Sequence, residues 1–158
     1  MSQLAATDFV SRMNASRRGP MGALYRFMSD ATVLKGSCCV LEINENPGGG
    51  PPLHVHTRED EYFHIIEGQA TFWVDGKVHV VNAGQSFFAP RNIPHTFKNC
   101  SNAPFRMLCI ATPGHIESFF DFGAPNPDGT EPSDQTVIER IIKTAPEYGM
   151  TILGPSPL

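Results

Sequence analysis

The chain has 158 residues, 41% of them hydrophobic and 18% charged, with a net charge of −4 at neutral pH. That length suits one domain with a real core, and the absence of a long basic run argues against a nucleic-acid partner, since Arg17 and Arg18 stand as an isolated pair. No apolar run reaches membrane-span length and no secretory h-region opens the chain, so a cytoplasmic protein without membrane contact is expected. Fourteen glycines and fourteen prolines favour a turn-rich, all-β chain over a helical bundle. The four cysteines, Cys38, Cys39, Cys100 and Cys109, form no CxxC pair and are expected to be reduced and mostly buried.

Taken in order, Ala5, Phe9 and Met13 are spaced four apart, which points to a short amphipathic helix over 3–14. Leu24, Tyr25 and Phe27 open an apolar stretch, and residues 31–35 read as a strand. Residues 38–44 read as a further strand, with Cys39, Leu41 and Ile43 on one face and Glu42 and Asn44 on the other. Pro47, Pro51 and Pro52 lack ladder donors, so pairing should stop or bend there. LHVH and EYFHII then read as two strands. Asp75-Gly76, between two apolar-rich runs, predicts a hairpin with a type I′ turn. SFFA and HTFKN follow as short strands, and residues 104–112 as a long apolar strand packed on both faces. Trp73, Phe87 and Phe88 are expected in the core.

After Pro113, three phenylalanines stand beside charges in IESFFDF, and GAPNPDGTEP reads as an exposed loop. Ser133 is a suitable N-cap for a helix over 134–144, with Val137, Ile138, Ile141 and Ile142 as its apolar face and Lys143 near its C-terminal end. The tail is expected to dock in extended form against the body or a partner. Eight to ten short strands at regular spacing, without βαβ alternation, suggest a sandwich or barrel.

The chemistry concentrates in residues 48–99. His54 and His56 are two apart, so on a strand both rings point to one face. Glu61 and His95 complete a set suited to a borderline divalent metal, because imidazole suits zinc, copper, iron and nickel and a carboxylate adds charge. Pro94 would fix the approach of the third ring, and the glycines at 48–50 would let the backbone turn before the first ligand strand. Four protein ligands would leave an open position on the ion, as a catalytic site requires. Glu61 could ligate directly or act as general base, and Glu59 has the same strand parity. His64, His79 and His115 read as surface or packing residues. Phe63 and Ile65 share the parity of Glu61, and Phe97 that of His95, which makes them candidates for a pocket wall, with Met107 and Cys109 on the long strand beside them.

The first block, Gly48, His54, His56, Glu61 and Gly68, resembles the first cupin motif, G-x5-H-x-H-x4-E-x6-G. Gly84, Pro90, His95 and Asn99 resemble the second, G-x5-P-x-G-x2-H-x3-N, with Asn92 where the family has glycine. Asparagine best replaces glycine in left-handed backbone, so the turn should survive. The stretches GGGPPLHVHTREDEYFHIIEG, ATPGHIESFF and EYGMTILGP are similar to small bacterial single-domain cupins described as quercetin dioxygenase-like.

The resemblance implies one all-β cupin domain over residues 1–158: a double-stranded β-helix or jelly-roll barrel over about 24–122, then a C-terminal loop, helix and tail over 123–158. It implies one divalent transition metal (Fe, Mn, Ni, Co, Cu or Zn) held by His54, His56, Glu61 and His95, a small-molecule substrate and a homodimer. The reaction expected first is that of a metal-dependent dioxygenase on a small, aromatic or flavonol-like substrate. A non-oxidative isomerase, lyase or decarboxylase and a non-enzymatic ligand-binding cupin stay open beside it, because one fold hosts many chemistries.

Overall fold

The fold is given by a computed structural model that describes residues 16–29 and 34–158. The helix expected over 3–14 lies outside them. Of the strand expected over 31–35, only residues 34 and 35 are described, and neither is in a strand. Lys35 and Gly36 both have positive φ (52° and 77°), which turns the chain instead of extending it.

Eleven strands are described: β1 (Ser16–Arg18), β2 (Leu24–Ser29), β3 (Cys39–Glu45), β4 (Leu53–His56), β5 (Asp60–Glu67), β6 (Gln69–Val74), β7 (Lys77–Asn82), β8 (Ser86–Ala89), β9 (His95–Lys98), β10 (Phe105–Thr112) and β11 (Met150–Gly154). They form two antiparallel sheets, ordered β1-β2-β3-β10-β5-β8 and β11-β4-β9-β6-β7. The sheets face each other as a jelly roll and do not join into one closed barrel. The strand system extends beyond residues 24–122, because β1 pairs with β2 and the tail strand β11 pairs with β4. The turn after β6 follows its dipeptide: Asp75 and Gly76 have φ of 46° and 82°, the double positive value of a type I′ turn.

The core lies between the sheets. Phe63 of β5 packs on Phe72 and Phe97 at ring-centroid distances of 5.1 and 6.0 Å, and Phe97 meets Phe105 at 6.1 Å. Each buried phenyl is worth about 1.5–3 kcal/mol. On β3, Cys39, Leu41 and Ile43 are buried as the alternation predicts. Strand β10 differs from expectation: Phe105, Met107, Cys109 and Ala111 are buried, but Arg106, Leu108 and Ile110 remain half-buried. Its even positions lie on the outer face of the sheet, so only one face meets the core. Phe88 is likewise exposed, because it pairs with Tyr62 on that outer face. Phe87 turns inward onto Phe72, with centroids 4.3 Å apart, and stays half-buried like Trp73.

The helix α1 (Asp134–Thr144) starts where its cap predicts, with Ser133 Oγ accepting from the Thr136 N–H at 3.1 Å. Val137 and Ile141 are buried, whereas Ile138 and Ile142 are exposed. The contact is narrower than the apolar stripe because α1 packs on the short 3-10 segment Glu117–Gly123. Arg140 ties the two together by donating to the carbonyls of Phe122 (3.1 Å) and Ala124 (2.6 Å). Among the described residues, no helix is long and apolar enough to cross a membrane.

Candidate metal centre

His54 and His56 alternate along β4 and face inward together, and the β4–β9 pairing sets His54 opposite His95. Glu61 projects from β5 in the other sheet. One ligand atom from each of these four buried residues falls within 4.8 Å of all the others. Glu61 Oε2 lies 3.0 Å from His95 Nε2 and 3.4 Å from His56 Nε2. The site therefore spans the gap between the sheets, although its residues are close together in the chain.

Each ring is turned by a bond at its outer nitrogen. His54 Nδ1 lies 2.8 Å from the Pro52 carbonyl, and His95 Nδ1 lies 2.8 Å from the Ile93 carbonyl. His56 Nδ1 lies 3.3 Å from Glu59 Oε2. These contacts leave every Nε2 pointing at the common centre. Asn92 has φ 65°, the left-handed conformation for which glycine is usual, and its N–H donates to the His56 carbonyl at 2.7 Å. The second motif's turn thereby grips the first motif's strand.

The electrostatics suit a cation. Burial, reinforced by the neighbouring His95 and His56, pushes the His54 pKa down to about 3, so this ring is neutral at ordinary pH. Burial works against charge on Glu61, but His56 and His95 outweigh it and hold the carboxyl well below the usual range. Burial also opposes charge on His56, yet Glu61 and Glu59 lift its pKa above the ordinary value. The other Glu61 oxygen, Oε1, is 3.5 Å from Cys109 Sγ. Burial pushes the Cys109 thiol up, and Glu61 adds to that, so sulfur is the proton donor in this contact.

The four residues border a mostly apolar cavity that opens to solvent. Of the residues expected in a pocket wall, Phe63, Phe97 and Cys109 line it. Ile65 and Met107 do not: both are fully buried in the core, where inward parity leads to packing rather than to the cavity. The rest of the wall was not read from the sequence. Tyr25 and Ile43 line one part, while Ile116, Phe119, Phe120, Phe122, Ile141, Met150 and Ile152 come from the C-terminal region. The one available signal was the phenylalanine cluster of IESFFDF. His64, His79 and His115 stand outside the cluster: His64 bonds Ser86 at 2.9 Å, and the other two are exposed.

Another buried acid occupies the inner face of β3. Glu45 is 1% exposed, and neither carboxylate oxygen has a hydrogen-bond partner among the described residues. Burial pushes its pKa up to about 8.

Residues 41–111 match the family described as Cupin domain. An uncharacterized protein of Methanocaldococcus jannaschii is 31% identical over 93 residues, which cover 58% of this chain and 74% of that protein. The chain belongs to the cupin superfamily. Quercetin 2,3-dioxygenase of Bacillus subtilis is 28% identical to this cupin over 136 residues. That match takes in 84% of the cupin chain but 40% of the enzyme, so the chain spans well under half of its length. An RmlC-like cupin from Shewanella frigidimarina superimposes with a TM-score of 0.59 at 19% identity, over 75% of this chain and 99% of that one. At such identity the likeness bears on the fold alone.

The donor set fits a divalent transition metal. Three imidazole nitrogens and one ionised carboxylate oxygen converge in a buried site, with each ring oriented from outside. The same set does not single out one metal.

Proposed function

We propose that this cupin is a metal-dependent oxidoreductase of the dioxygenase type, acting on a small, largely apolar substrate with an aromatic or flavonol-like ring. The observation that carries the reading is the division of labour within Glu61: Oε2 belongs to the ligand cluster, while Oε1 faces Cys109 at the cavity wall. His54, His56, Glu61 and His95 would hold a divalent ion, which would supply Lewis acidity toward a substrate oxygen. Glu61 Oε1 would accept the hydrogen of a substrate hydroxyl, with the Cys109 thiol donating to the same oxygen. Phe63, Phe97, Phe119 and Phe122 enclose a flat ring and exclude water. The distant likeness to a quercetin 2,3-dioxygenase supports this choice of chemistry.

The test is oxygen uptake by metal-loaded protein offered flavonols, catechols and diketones. Uptake is expected to need the metal and to disappear in Glu61→Gln. No uptake with any of the three classes would overturn the oxidative reading. Metal-dependent turnover without oxygen would assign the isomerase or lyase chemistry instead.

A further inference from the structure

The three histidines of the centre are not held alike. The Nδ1 atoms of His54 and His95 each bond a backbone carbonyl two residues back, at 2.8 Å. Those acceptors are neutral and come with the extended chain itself. His56 is anchored instead by the Glu59 carboxylate at 3.3 Å, and the two side chains are 2% and 5% exposed.

We propose that Glu59 is a positioning residue of the metal centre, whose carboxylate fixes the His56 ring and strengthens that histidine's hold on the ion. The proposal rests on the metal reading above.

The placement of Glu59 supports a directed role. It lies in the turn between β4 and β5, where Thr57 and Arg58 are exposed, yet its own side chain is buried. Burying a carboxylate is costly unless it is paired. Among the described residues its one hydrogen-bond partner is His56. The nearby guanidinium of Arg91 is engaged by Asp60, at 2.7 Å and 3.1 Å. The His56 backbone is already held by the Asn92 N–H. What remains to be set is the rotation of the ring, and Glu59 acts on it. A carboxylate accepting from Nδ1–H also makes Nε2 a stronger donor than a carbonyl would. Glu61 and Glu59 share a strand parity in the sequence but divide into two tasks, one at the centre and one behind it.

The test compares Glu59→Ala and Glu59→Gln with wild type, with Glu139→Ala on the exposed side of α1 as control. Co²⁺ is titrated into metal-free protein, and its visible bands and its competition with a chelator are read. Glu59→Ala is expected to lose about 10–100-fold in Co²⁺ affinity, with shifted bands. Glu59→Gln keeps an acceptor oxygen without the charge and should fall between Glu59→Ala and wild type. Thermal melts of the metal-free proteins show whether each variant folds; if Glu59→Ala does not, Glu59→Gln decides. Wild-type affinity and bands in the folded Glu59 variants would overturn the role of Glu59 and leave the metal reading standing. Failure of the wild type itself to bind Co²⁺ would overturn both.

Discussion

The cavity has two unlike halves. Its polar half comes from residues 54–95 of β4, β5 and β9, where each imidazole is turned by an acceptor at most three residues away. Its apolar half comes largely from Phe119, Phe120, Phe122, Ile141, Met150 and Ile152, all beyond residue 111, where the match to the cupin family ends. The ion-holding chemistry is thus built from short-range geometry in the shared part of the chain. The four ligands also meet only on folding, across the two sheets, but the surface that a substrate's body would touch draws mostly on segments outside the shared part. The difference implies that metal binding and substrate choice can be changed separately.

The largest expected effect tests the polar half. His54→Ala combined with His56→Ala should reduce metal content to background while circular dichroism and melting keep the β fold, because the core between the sheets is apolar. Equal metal in variant and wild type, by elemental analysis, would break the assignment.

The next effect tests the apolar half. Phe119 is buried and meets Phe120, Phe122 and Tyr148 at centroid distances of 5.6, 5.3 and 5.7 Å. Phe119→Ala should cost about 3–5 kcal/mol in urea denaturation, with metal stoichiometry unchanged. Loss of the metal along with the phenyl would show that the halves are coupled.

A third test, whose effect per pH unit is smaller, sharpens the contrast through two acids. Glu61 is buried among histidines and stays ionised, whereas Glu45 is buried with no side-chain partner among the described residues and keeps its proton up to about pH 8. An unfolded chain releases that proton near pH 4.5. The contribution of Glu45 is therefore fully present below about pH 4.5 and is lost as pH rises towards 8. Its slope is about 1.4 kcal/mol per pH unit at most. Urea denaturation of metal-free protein between pH 5 and 8 should show this decline in wild type and a flatter profile in Glu45→Gln. Parallel profiles would mean that Glu45 finds a partner in solution.

Much of this protein is set by spacing along the chain. Two histidines separated by one residue face the same way on any strand, Asp75-Gly76 permits the positive φ pair of a tight hairpin, and Ser133 caps a helix from the position where a side-chain oxygen reaches Thr136 N–H. Cysteine and leucine on β3 were legible as inward for the same reason, since a strand's period of two depends on nothing distant. Tertiary structure decided what lies opposite each face. It left Phe88 in solvent and Ile138 and Ile142 outside the helix contact, sent Ile65 and Met107 into the core rather than the cavity, and brought the tail strand β11 beside the His54 strand. It also separated Glu61 from Glu59, which parity alone could not do. Local rules fix the direction of a side chain, but its neighbours come from segments distant in the chain, and burial, partners and protonation follow from those neighbours.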